Sequence, residues 1–195
     1  MFFRKKIANI FLFFLTGCGY HFQSDKEPIT LSIPFIEGDL EGHFTAQLVK
    51  EISSSPRFIY HNYKGEYLLQ VSILSSSEEQ IGYQKDRLKI DGSLQKNLRP
   101  IEGRKIMTAK VSIAKRASQE IIWGPYEIVS DVDYDYVDQD SLFDLAFIEP
   151  SGARRTVLSF SLGQLEPIEN AQQASHRSLY HSLCQKIIDT ISADW

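Results

Sequence analysis

The stretch Ile29–Ile52, ITLSIPFIEGDLEGHFTAQLVKEI, decides the fold, because its two halves keep different periods. Ile29, Leu31, Ile33 and Phe35 alternate with Thr30, Ser32 and Pro34, the period of two that marks a half-buried strand. Pro34 has no N–H to give a ladder, which places it on an edge or at the strand's end. After Gly38, Asp39 is placed to cap a helix. Leu40, Phe44, Leu48 and Ile52 then recur every four residues with Val49 beside them, so one helical face is apolar. Gly42 weakens the first turn by about 1 kcal/mol relative to Ala, and the Ser53–Pro56 run ends the helix. A half-buried strand followed by a one-faced helix needs a second layer to pack on.

Downstream, the pattern repeats with more strands. Arg57–Tyr60 is short and extended, and Tyr63-Lys64-Gly65 reads as a turn. Tyr67, Leu69, Val71 and Ile73 alternate with Leu68, Gln70, Ser72 and Leu74, which predicts a strand covered on both faces. Residues 75–103 are polar and hold Gly82, Gly92, Pro100 and Gly103, an excursion far beyond the ~4–6 residues of an ordinary connection. Met107, Ala109, Val111 and Ile113 define a one-sided strand. After a polar turn at 115–119, another strand runs from Ile121 to Tyr136, interrupted at Gly124-Pro125 as by a bulge or edge feature. A second insertion, 138–166, holds a β-hairpin: Leu145–Ile148, a turn EPSGAR, and Thr156–Leu162. Pro167–Ala193 reads as a long helix with Leu179, Leu183, Ile187 and Ile191 in one stripe, flanked by Tyr180, Cys184 and Ile188.

The order is β-α-β-β-β-α with two long insertions. The fold class is α+β in two layers, two helices packed on a roughly four-stranded mixed sheet, as a single domain over 28–195. A hydrophobic content of 43% is ordinary for such a domain. No internal repeat is visible.

The net charge is −4, which excludes a general nucleic-acid binder, since those carry a basic stripe and a high pI. The charge is uneven, however. Lys85, Arg87, Lys89, Lys96, Arg99, Arg104 and Lys105 fall in one segment, opposed there by Asp86, Asp91 and Glu102. This segment is either a solvated loop of mixed charge or an anion site, where Arg offers bidentate forks and Lys point charges to phosphates or carboxylates.

Familiar catalytic motifs are missing: there is no G-x-S-x-G, P-loop, G-x-G-x-x-G or H-E-x-x-H. His176 and His181 are five apart and do not share a helical face, so they read as solvated residues rather than zinc ligands. Asp131, Asp133 and Asp135 mimic the start of a calcium loop, but its sixth and twelfth positions hold Tyr136 and Leu142 instead of Gly and Glu. As a strand, the three aspartates share one solvent face and Val132, Tyr134 and Tyr136 the other. No metal site and no cofactor are expected. Enzymatic activity is not expected either, although catalytic triads are set by geometry rather than by sequence order.

The N-terminus carries the sharpest signal. Arg4, Lys5 and Lys6 form a basic cluster, Ile7–Leu15 is apolar but for Asn9, and Thr16-Gly17 are small. These are the three regions of a secretory signal. The apolar run is about half the ~20 residues that span a bilayer. Leu15-Thr16-Gly17-Cys18 resembles the bacterial lipobox. That resemblance implies a signal peptide at 1–17, acylation of Cys18 and a tether over 18–27. Several acyl chains anchor a protein stably where one does not. Gly19, in place of an Asp, points in that class to the outer membrane. With Cys18 acylated, Cys184 has no disulfide partner and reads as a core thiol.

Lipobox, CGYHF (18–22), the strand ITLSIPFIEGDLE and the helix TAQLVKEISSSPRFIY together resemble the lipopolysaccharide-assembly lipoprotein LptE family. GEYLLQVSILSSSEEQIGY, IMTAKVSIAKRASQEIIWGPYEI and the C-terminal IIDTISADW are similar to its later strands and last helix. Phe22 and Gln23-Ser24 depart from the family's usual Leu and Arg-Gly, and both insertions are longer than its pattern, so only Cys18 is carried over. The resemblance implies an outer-membrane lipoprotein that plugs or chaperones an LptD-type β-barrel and helps deliver lipopolysaccharide to the cell surface. The basic residues at 85–105 would then face lipopolysaccharide phosphates. The alternative is a lipid-anchored auxiliary or binding module of another envelope transport system.

Overall fold

A computed structural model describes residues 28–87, 93–136, 146–156 and 168–194. Among these, the chain forms β1 (Ile29–Ser32), α1 (His43–Ser54), β2 (Phe58–Tyr60), β3 (Tyr67–Arg87), β4 (Leu94–Lys115), β5 (Ile121–Asp135), β6 (Ala146–Ile148), β7 (Arg154–Thr156) and α2 (Ile168–Asp194). The main sheet has five strands in the order β2-β1-β3-β4-β5, one more than the four expected. The extra member is Phe58–Tyr60, which pairs parallel with β1 at the edge. β1 also pairs parallel with β3, and β3-β4-β5 is antiparallel, so the sheet is mixed. Both helices lie on one face of it. The fold is therefore the expected two-layer α+β arrangement.

The core forms where three apolar patterns meet. Leu31 from β1, Leu69 and Val71 from β3, Ala109, Val111 and Ile113 from β4, and Ile128 from β5 meet Phe44, Leu48 and Ile52 of α1. Leu179, Leu183, Ile187 and Ile191 of α2 are all fully buried against them. Burying one such side chain is worth about 1.5–3 kcal/mol, so the helix stripes and the sheet face account for why the layers associate.

The opening stretch folds as read in outline, with two corrections, at Phe35 and Leu40. β1 ends at Ser32, so Pro34 falls at the strand's end, one of its two expected places, and the strand itself is interior. Phe35 turns outward and is 77% exposed. Leu40 precedes the helix and is 92% exposed, leaving Phe44, Leu48 and Ile52 as the buried face. Asp39 does cap α1, from three residues before the helical N-cap position. Gly42, at φ 74°, occupies that position and has no side chain to offer. The Asp39 carboxylate takes its place, accepting from the Thr45 N–H at 2.7 Å, the Thr45 hydroxyl at 2.6 Å and the Phe44 N–H at 3.3 Å. Two of the first-turn donors that a helix leaves orphaned are thereby satisfied.

The largest correction concerns residues 75–103. They are strand rather than loop for most of their length: β3 runs on to Arg87 and β4 begins at Leu94, pairing throughout. Alternation fails to reveal this because neither face of the extension is buried in a core. Bulges between Ile73 and Ser75 and between Gln80 and Gly82 also break the period. At the base of β3 the two faces differ: Leu69 and Val71 are buried, while Leu68, Gln70 and Ser72 on the alternate face are half-buried, so the second face is covered only in part. In the second insertion, β6 and β7 form the expected antiparallel hairpin, with β7 starting at Arg154. The rest of the expected second strand, residues 157–162, lies outside the described residues. Gly124-Pro125 sits within edge strand β5, where a missing N–H is tolerated.

Candidate functional site

The structure divides the seven basic residues into groups with different surroundings. Lys89, like Cys18, is outside the described residues. Arg87 closes β3, paired with Leu94. Lys85 and Lys96 are exposed on the outer part of the β3–β4 hairpin, and Arg99 lies opposite Gln84. Arg104 and Lys105 belong to the sheet itself and are ion-paired.

Arg104 and Lys105 are neighbours on β4, so their side chains leave opposite faces of the sheet. Arg104 meets Asp133 of β5, which lies directly across in register, by two parallel hydrogen bonds of 2.6 and 2.9 Å. The Asp133 bond is the main reason the Arg104 guanidinium is held above its ordinary range, and it holds the Asp133 carboxyl below its own. Asp131 is 3.9 Å away. Lys105 points into the domain instead. Its side chain is 7% exposed, and its Nζ is 2.6 Å from Oε1 of Glu78, its register partner on β3. Gln172 of α2 donates to the other Glu78 oxygen at 2.7 Å, tying the helix to the hairpin. Glu78 escaped notice in the sequence, where it reads as part of a polar insertion. Glu78-Glu79 opposite Arg104-Lys105 is the signal that would have found it, once the two segments are paired as strands.

Two clefts open along α2. A cleft of about 540 Å³ opens between the 38–43 loop and α2, lined by Asp39, Glu41, His43, Gln47, His176 and Tyr180 among others. His176 stacks on Tyr180 at 5.8 Å between centroids, and Phe44 packs edge-on to the same ring at 5.6 Å. Burial, with the Lys105 charge second, pushes the His176 imidazole below its ordinary range. Burial raises the Tyr180 phenol. Asp39 is already engaged as the helix cap, so it offers the cleft no unpaired base. A second cleft, of about 500 Å³, is lined by Glu78, Gln80, Tyr83, Tyr134, Tyr136 and Gln172.

Between the helices, Glu51 of α1 gathers three donors. Gln47 lies at 2.6 Å, Gln185 at 2.7 Å, and His181 Nδ1 at 2.8 Å. Burial raises the Glu51 pKa, but these bonds outweigh it and leave the carboxyl below its usual value. Cys184, also on α2, is a buried free thiol whose pKa burial drives well upward. A thiol held in that way is a poor nucleophile. Among the described residues, no three His, Cys, Asp or Glu side chains converge as metal ligands, and no helix is long and apolar enough to cross a membrane. The three aspartates at 131, 133 and 135 stand on the solvent side of β5, alternating with Val132, Tyr134 and Tyr136.

No family model matches the chain, and no curated protein matches it. Among solved structures it is similar to a minor lipoprotein from Acinetobacter baumannii, with 18% identity, 86% of this chain and 93% of that one covered, and a TM-score of 0.47. It is also similar to the rare lipoprotein B from Shewanella oneidensis, with 13% identity, coverage of 84% and 94%, and a TM-score of 0.43. A third is a lipoprotein B from Nitrosomonas europaea, with 16% identity, coverage of 90% and 88%, and a TM-score of 0.44.

Proposed function

We propose that this chain is a lipid-anchored envelope protein without catalytic activity, attached through Cys18 to the outer membrane. In this reading it assists lipopolysaccharide assembly by plugging or chaperoning an LptD-type β-barrel. The observation that carries the reading is Leu15-Thr16-Gly17-Cys18 at the end of a short apolar signal. The CGYHF start and the strand–helix opening support the specific role. Direct contact with lipopolysaccharide phosphates falls in this reading to Lys85, Arg87, Lys89, Lys96 and Arg99. Arg104 and Lys105 are engaged by Asp133 and Glu78, so they bear on such a ligand only through the hairpin they brace.

The test is affinity capture from envelopes with a tagged full-length chain, alongside metabolic labelling with a fatty-acid analogue. The expected result is incorporation of label that Cys18→Ala abolishes, with co-purification of a large β-barrel protein. Label without a barrel, or with a different transport complex, would favour the auxiliary-module reading. Absence of label would remove the lipid anchor itself.

A further inference from the structure

Beyond Glu102 and Asp135, which pair at the end of β5, the sheet narrows to two strands among the described residues. From there, among the described residues, β3 and β4 pair only with each other, with Tyr83 opposite Pro100, Gln84 opposite Arg99 and Lys85 opposite Leu98. Residues directly opposite in an antiparallel pair share a face, and so do residues two apart. Tyr83, Lys85 and Leu98 therefore stand together, and Lys96 and Leu94 follow along β4, past a register shift between Lys85 and Arg87. Tyr83 is 51%, Leu98 64% and Leu94 57% exposed, and Lys85 and Lys96 are exposed too. This exposed face of the outer hairpin therefore brings three large apolar side chains together with two cations, Tyr83, Lys85 and Leu98 at its centre. In sequence, positions 83–87 and 94–100 carry Lys85, Arg87, Lys96 and Arg99 against Asp86 alone, in a chain of net charge −4.

We infer that this face of the hairpin docks on an anionic phospholipid bilayer when the protein is not engaged with a partner. The inference rests on the lipid-anchored reading, which would hold the chain at a membrane. Apolar side chains beside lysines match a bilayer interface. The former enter the headgroup–acyl boundary, and the latter meet the negative surface potential while their stems lie along apolar surface. A two-stranded ribbon has little stability of its own in water, and burying one face on the membrane supplies it with a second layer. Charge complementarity selects the occupant: the rest of the chain is acidic and is repelled by the same surface.

The experiment places a reporter on the face in the full chain, purified from membranes and reconstituted into vesicles. Leu98→Trp is compared with Ile59→Trp, an exposed position on β2 at the opposite edge of the sheet, each after subtraction of the wild-type emission. Vesicles contain brominated phosphatidylcholine with or without phosphatidylglycerol. The expected result is at least about twofold greater quenching at position 98 than at 59 in anionic vesicles, as interfacial insertion requires. That difference should be lost when Lys85→Ser and Lys96→Ser are added or the salt is raised. Equal quenching at the two positions, or quenching indifferent to phosphatidylglycerol, overturns the proposal. So does a double lysine variant that loses binding to dispersed lipopolysaccharide while quenching in phospholipid vesicles is unaffected. Loss of the wild-type protein from vesicles in a salt wash would instead count against the lipid anchor, a distinct result.

Discussion

Arg104 holds Asp133 in a bidentate clasp across β4 and β5, 2.6 Å from Nε to Oδ1 and 2.9 Å from Nη2 to Oδ2. The two residues are direct register partners on the open face of the sheet. The clasp holds the last part of β5 against β4 close to where their pairing ends. It also explains why an aspartate is tolerated at the centre of the 131–135 acidic row.

Because Arg104 holds the Asp133 carboxyl below its ordinary value, this pair makes stability depend on pH. The contribution is fully present above the unfolded carboxylate value of about 3.9 and is lost as pH falls through the lower folded value. Asp133→Asn should therefore melt below the wild type at pH 6 and coincide with it in strong acid. Both side chains are well exposed, so added salt should shrink the neutral-pH gap. Thermal melts from pH 2 to pH 7 at two salt concentrations read this directly. A gap that persists unchanged in acid would show that the clasp is not its source.

The buried partner pair predicts an asymmetry. Lys105 is almost wholly enclosed, while the Glu78 side chain keeps 37% of its surface in water. Glu78→Gln leaves a cation under α2 without its counter-charge, and the cost should fall near the lower end of the ~3–5 kcal/mol seen when one partner of a buried pair is removed. Lys105→Met removes the charge and keeps the stem's packing, so it should cost far less. Urea unfolding of both variants decides it; a larger loss for Lys105→Met than for Glu78→Gln would contradict the assignment.

Glu51 makes the corresponding link between the helices. Its carboxylate accepts from Gln47, Gln185 and His181 and is 12% exposed. Glu51→Ala leaves those donors without their acceptor where α1 meets α2, an expected loss of about 1–3 kcal/mol. His181 is 57% exposed and can turn to water, so His181→Ala should lose noticeably less. Chemical denaturation of the two variants side by side checks the order.

These pairs show why the layers were legible in the sequence and the hairpin was not. Leu179, Leu183, Ile187 and Ile191 carry a helical period because one face is buried, and Val111 and Ile113 carry a strand period for the same reason. Burial writes period into sequence. The outer hairpin, beyond Gln80 and Gly103, buries neither face in the core cluster, so backbone pairing runs on there without an apolar period to mark it. Leu40 shows the converse, since it matches the four-residue spacing of α1 but lies before the first helical turn. The basic segment was visible as composition, yet its division into exposed Lys85 and Lys96 and engaged Arg104 and Lys105 depends on strand register, which composition does not contain.

Cys184 supplies the last prediction and a check on the N-terminal reading. Its thiol is fully buried and its pKa is driven upward by burial, so little thiolate forms at neutral pH and a reagent has no path to it. In the native protein a thiol reagent should leave Cys184 unmodified, and the rate should rise to that of a free thiol once the chain is unfolded. The stoichiometry under denaturant carries further information, because the sequence holds only Cys18 and Cys184. Protein purified from membranes should yield one reactive thiol per chain, Cys18 being acylated. Cys184→Ala should yield none, and a chain made without export should yield two. Two thiols in the membrane-purified protein would mean that Cys18 carries no lipid. Fast labelling of the folded protein at Cys184 would mean that the contact between α2 and the sheet opens far more readily than its packing implies.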